Sequence, residues 1–154
     1  MDLSLLIYRV ATLEDLPDIV KMLGDDDLGV QREDSSGSIE KYLNAFRDIS
    51  VDATQELTVV DLQGEIIATL HLSFMQYLTY QGGMRAQIEG VRVKSLYRGM
   101  GVGNAIMNYA IRRSRLNGAH LVQLTTDKKR SSTLEFYRGL GFTDSHIGMK
   151  LHLD

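Results

Sequence analysis

Arg98-Gly99-Met100-Gly101-Val102-Gly103 sets three glycines at alternate positions between a strand-like run and a helix-like run. Glycine allows backbone angles and close approaches that a Cβ blocks. The first N–H groups of a helix have no partner inside it, and their positive end favours an anion. Strand, glycines and helix in that order make a phosphate cradle. The same residues also suit a tight strand-to-helix turn that holds no ligand. A Walker loop needs Gly-Lys-Ser/Thr, but Asn104 follows Gly103. A Rossmann fingerprint needs Gly-x-Gly-x-x-Gly near the start of a βαβ unit, and here the third glycine comes one residue early, after three strands.

Working outward, Val102, Ala105, Ile106, Tyr109 and Ala110 predict one apolar face of a helix from about Gly101 to Asn117, stopped by Gly118. Met84 to Lys94 predicts the strand before the loop. Glu56 to Asp61 and Glu65 to Gln76 predict two more, joined at Gln63-Gly64, with a turn at Gln81-Gly82-Gly83 before the third. In the second of these, Ala68, Leu70, Leu72 and Phe74 face one way and Thr69, His71 and Ser73 the other. His71, alone among polar neighbours, reads as structural.

Nearer the N-terminus, Leu13, Leu16, Ile19, Val20 and Leu23 mark a helix capped by Thr12 with Asp15, carrying Pro17 early and ended by Gly24. Asp25-Asp26-Asp27 reads as a solvated turn. A second helix runs from about Ser38 to Ile49. After the glycine loop come a strand, His120 to Thr126, and a short helix, Ser132 to Arg138, with Ser132 and Glu135 as a capping box. A last strand follows over Phe142 to Leu153. The order βαα-βββ-α-β-α-β predicts an α/β fold, with a mixed sheet flanked by helices in one domain over residues 1–154.

The 154 residues are 44% hydrophobic and 24% charged, with a formal net charge of −3. That balance disfavours nucleic-acid or polybasic membrane-surface binding. With no cysteine, disulfides and thiolate nucleophiles are excluded. The four histidines form no His-x-x-x-His pair, so no metal site is expected. Leu3 to Tyr8 lacks a basic flank and a cleavage site, and no apolar run approaches a membrane span, so the expectation is a cytoplasmic protein.

Three segments together resemble the GNAT acetyltransferase superfamily. Arg98-Gly99-Met100-Gly101-Val102-Gly103 matches its Gln/Arg-x-x-Gly-x-Gly/Ala motif. Ile88-Glu89-Gly90-Val91-Arg92-Val93 resembles its cofactor strand. Leu134-Glu135-Phe136-Tyr137-Arg138-Gly139-Leu140-Gly141-Phe142 resembles its Phe-Tyr-x-x-x-Gly-Phe segment. The order and spacing agree over about residues 6 to 152. The resemblance implies the acyl-CoA N-acyltransferase fold, with a mostly antiparallel mixed sheet, and acetyl-CoA held where two neighbouring strands splay. Val91 and Val93 would pair with the pantetheine arm, with Arg92 beside them. Backbone N–H groups from Arg98, Gly99, Met100, Gly101, Val102, Gly103 and Asn104 would hold the pyrophosphate, with Arg98 adding charge.

The reaction implied is direct acetyl transfer to a primary amine of a small molecule, in a manner similar to aminoalkylphosphonate or glucosamine-phosphate acetyltransferases. Alternatives are a protein N-terminal or lysine acetyltransferase and a non-catalytic acyl-CoA sensor. An alkyl amine is mostly ammonium at pH 7, so a group must accept its proton. Glu89 takes that part by resemblance, directly or through water, and burial near Val91 would make it a better base. Its other reading is a carboxylate paired with Arg85 or Arg92. Gln87 occupies the family's other common acid position and cannot act as a base. Tyr137 would protonate the departing thiolate, and a backbone N–H near Val91 would meet the carbonyl oxygen.

One departure is Arg130, where many members carry an asparagine that touches the cofactor. It would meet the 3′-phosphate, an anionic substrate or only solvent. Arg32 and Glu33 lie where the family closes over its acceptor, and His146 is a further substrate-site candidate. Similar proteins commonly form homodimers.

Overall fold

The computed structural model describes residues 1–25, 39–128 and 131–153. They divide into two units, Met1–Gln123 and Leu124–Asp154.

The first unit holds β1 (Leu6–Val10), α1 (Leu16–Leu23), α2 (Glu40–Val51), β2 (Gln55–Leu62), β3 (Glu65–Gln76), β4 (Met84–Val93) and α3 (Val102–Leu116). It is completed by most of β5 (Ala119–Leu124). The sheet order is β1-β2-β3-β4-β5, and β1 to β4 pair antiparallel as a meander. Residues paired across an antiparallel ladder share a face. On one face Val60, Ala68, Leu70, Leu72, Ala86 and Ile88 pack with Val102, Ile106, Met107 and Ala110 of α3, all at most 1% exposed. The other face, with Leu57 and Val59, packs against Leu16, Ile19 and Met22 of α1 and Phe46 of α2. The alternation read in β3 thus separates two cores, one on each side of the sheet.

Two polar anchors fix the helices to the sheet. Asp15 is 6% exposed. It accepts from both terminal nitrogens of Arg9 at 2.6 and 2.9 Å and from the Thr12 backbone N–H at 2.7 Å. The expected cap at Thr12 and Asp15 forms on a 3-10 turn, Leu13–Asp15, that leads into α1. Glu56, on the α3 face of β2, accepts from the Arg113 Nε at 3.1 Å and the Tyr109 hydroxyl at 3.2 Å. Tyr8 of β1 stacks on Tyr109 with centroids 4.9 Å apart.

The second unit holds α4 (Ser131–Gly139), which ends in a Schellman motif. The Phe142 N–H donates to the Tyr137 carbonyl, the Gly141 N–H to that of Arg138, and Gly141 is left-handed at φ 93°. Two expectations fail here. Ser132 lies inside α4, not at its cap, and Glu135 accepts from Arg138 instead. The strand expected over Phe142 to Leu153 is absent among the described residues. Ile147, Met149, Leu151 and Leu153 do alternate, but they are 82–93% exposed. A period of two gives a segment two faces; a strand also needs a neighbour to complete its ladder. No helix of the described residues is long and apolar enough to cross a membrane.

Candidate active site

The site is organised by a bulge in β4. His71 pairs with Glu89, but Thr69 pairs with Arg92, so Gly90 and Val91 have no register partner on β3. The extra residue is accommodated by Gly90 at φ 60°, a conformation that a side chain disfavours. The bulge brings Arg92 onto the face shared by Glu89, His71 and Thr69, and leaves backbone groups out of the β3–β4 ladder. The Arg92 guanidinium donates to the Val91 carbonyl at 2.9 Å.

That face floors a cavity of about 230 Å3 beneath α1 and α2. Its walls are apolar, including Leu23, Tyr42, Phe46 and Ile49, and its floor carries His71, Glu89 and Thr69. The Glu89 side chain is exposed, so the burial expected for it is not found; the bulged strand presents it to open space rather than into the core. Its carboxylate accepts from Gln87 Nε2 at 2.8 Å, and Gln87 accepts in turn from Gln123 Nε2 at 2.9 Å. Arg85 stacks over Tyr77 and Tyr80 at 5.0 and 5.2 Å. Half-buried His71 has a buried Nε2 with no hydrogen-bond partner among the described residues. Burial pushes its imidazolium below the ordinary 6.5, against the opposite pull of Glu89. Burial thus disfavours the charged form of the ring.

The glycine loop follows the same strand. Gly99 and Gly101 are left-handed, at φ 74° and 87°, and Gly101 precedes α3 with no side chain capping the helix. An added Cβ at Gly101 would also meet Leu3 at 3.3 Å. Gly103 lies inside α3, and its first-turn neighbour Asn104 is exposed. Arg98 does not reach freely into solvent. It donates to the Val93 carbonyl at 3.0 Å and pairs with the Asp25 carboxylate at 3.0 Å, so it braces the loop against the end of α1. A 15-residue helix opening on glycines, without a competing side-chain cap, fits a pyrophosphate.

In the second unit Tyr137 is half-buried. Its ring meets Phe142 edge-on at 5.9 Å and Phe136 at 5.2 Å. The Phe142 contact is the apolar clasp of a Schellman motif, which explains the spacing of tyrosine, glycine and phenylalanine in this segment.

The acetyltransferase (GNAT) family profile matches residues 21–142. The chain belongs to that family. Among curated relatives, an aminoalkylphosphonate N-acetyltransferase of Salmonella typhimurium is 29% identical over 84 residues, 54% of each chain. The chain spans only 27% to 54% of the length of the curated relatives it matches. Among solved structures, a Bacillus halodurans C-125 protein described as a transcriptional regulator is 45% identical, with TM-score 0.91 over 96% of this chain and 99% of that one. A Clostridium acetobutylicum protein described as a predicted acetyltransferase and solved with acetyl-CoA shares the fold at 20% identity, with TM-score 0.74 over 96% of each chain.

Of the residues expected at a GNAT site, Glu89, Val91, Arg92, Val93 and the loop from Arg98 to Asn104 lie in the first unit along one strand–loop–helix path. Tyr137 and His146 lie in the second unit, where exposed His146 Nδ1 is 2.8 Å from the Ser145 hydroxyl. Arg32, Glu33 and Arg130 lie outside the described residues. His71 is the site residue that the sequence reading set aside. The observed turn, with Tyr80 and Gln81 left-handed at φ 55° and 57°, sets it opposite Glu89.

Proposed function

We propose that the protein transfers the acetyl group of acetyl-CoA to a primary amine of a small molecule. The observation that carries this reading is the path of β4. The strand bears Glu89 opposite His71 at a cavity floor, bulges at Gly90, and leads into the uncapped start of α3. The curated aminoalkylphosphonate acetyltransferase supports a small amine as acceptor. A cavity of about 230 Å3 also suits a small molecule better than a protein segment, since ligand pockets for drug-sized molecules run from roughly 300 Å3 upward.

Acetyl-CoA supplies a thioester, whose C–S bond breaks as the amine nitrogen bonds to the acyl carbon. The N–H groups from Gly99 to Asn104 hold the pyrophosphate, and Arg98 positions that loop through Asp25 and Val93. Arg92 and the backbone of Val91 and Val93 line the way to the acyl group. Glu89 draws the ammonium and takes its first proton, directly or through water, and the second, lost as the amide forms, balances the one delivered to the sulfur. His71, opposite Glu89 on the ladder, lines the floor beside it. Tyr137 donates to the leaving sulfur, a role that rests on sequence resemblance.

The test follows free thiol while the protein is incubated with acetyl-CoA and a panel of amines. Amine-dependent thiol release is expected. A second reading, an acyl-CoA-responsive regulator, draws on the Bacillus halodurans relative. Cofactor binding without thiol release for any amine would favour that reading and overturn the first.

A further inference from the structure

We infer that the cavity between α1, α2 and the sheet selects a primary amine carried on a compact apolar body, with the nitrogen meeting Glu89 and His71. This rests on the transferase reading and adds the class of its acceptor. Leu23, Tyr42, Phe46 and Ile49 surround the space, while Glu89 supplies the charge at its floor. No lysine or arginine is among the described residues that line it. None of the described lining residues replaces with a positive charge the hydration that a phosphate, phosphonate or carboxylate would lose there. An alkyl or aryl body loses nothing and gains from burial, about four-fold in affinity per methylene. The ammonium end gains a carboxylate that is already held in place by Gln87 and Gln123.

The experiment measures amine binding to the whole protein by calorimetry without cofactor, then thiol release with acetyl-CoA. The probes are methylamine to hexylamine, phenethylamine, 2-aminoethylphosphonate and glucosamine 6-phosphate. Affinity is expected to climb about four-fold per methylene until the cavity fills, with both phosphorus-bearing amines no tighter than methylamine. Ala45 is an exposed residue of α2 on the cavity wall. Ala45→Trp should weaken hexylamine about ten-fold and methylamine less, with the thermal midpoint confirming the fold. A flat series, tighter binding of the phosphorus-bearing amines, or unchanged hexylamine affinity in Ala45→Trp would overturn the assignment. Acetylation of the phosphorus-bearing amines alone would leave the transferase reading standing and remove the apolar acceptor. Apolar amines that bind but release no thiol would do the reverse.

Discussion

His71 and Glu89 face each other across β3 and β4 immediately before the bulge at Gly90. The pair combines a carboxylate open to solvent with a half-buried ring whose charged form burial disfavours. Replacing His71 with asparagine should lower kcat/KM for the amine about ten-fold, with acetyl-CoA affinity unchanged. The sign of the pH effect is set by the lowered imidazolium. Below the ordinary value of 6.5 the unfolded chain takes up a proton that the folded protein resists, so stability falls as pH drops from there. Thermal midpoints of wild type and His71→Asn, measured across that range, should show a smaller acid loss in the variant.

The loop prediction separates backbone geometry from charge. Gly101→Ala forces a Cβ into a left-handed conformation and against Leu3, at a cost of about 1–2 kcal/mol. It should weaken acetyl-CoA binding at least as much as Arg98→Gln does, because Arg98 acts through Asp25 and Val93. Calorimetric titration of both variants with acetyl-CoA checks the order.

Tyr137 is held by its clasp with Phe142. Tyr137→Phe preserves the ring of the clasp and removes the hydroxyl, so kcat should fall about 100-fold. Gly141→Ala should destabilise by about 1 kcal/mol, because the Schellman position is left-handed. Unchanged kcat in Tyr137→Phe would remove the acid role.

Asp15 ties β1 to α1. The Arg9 guanidinium holds its carboxyl below the usual carboxylate value of 3.8, with the Thr12 N–H adding to the effect. A carboxylate depressed in the folded state contributes stability that is present above that value and lost as pH falls through the folded one. Asp15→Asn should therefore cost about 1–3 kcal/mol at neutral pH, and its deficit should shrink below about pH 4. Denaturant unfolding at the two pH values measures both.

The sequence carried the elements that local chemistry specifies. The helix ended by Gly24 with its Thr12 and Asp15 cap, the hairpin at Gln63-Gly64, and the helix opening on Gly101 are legible, because caps, turns and period-3.6 stripes are written in neighbouring residues; Leu13, expected in the first helix's stripe, lies instead in the 3-10 turn and is 47% exposed. What was hidden depends on register. The register is continuous from Gln76 and Met84 to His71 and Glu89, and the bulge at Gly90 breaks it only beyond that pair, so alternation along one strand could show neither the placing of Arg92 on the face of Glu89 nor the exposure of Glu89. The last segment failed for the opposite reason. Ile147 to Leu153 has a strand's pattern, but pattern does not supply a neighbouring strand.

The claim that transfer occurs at Glu89 is tested most directly by one comparison: steady-state kcat/KM for the same amine in wild type and Glu89→Gln, at saturating acetyl-CoA and across pH. A loss on the order of 100-fold in the variant and a flattened pH–rate profile are expected. An unaltered rate and profile in Glu89→Gln would contradict that claim.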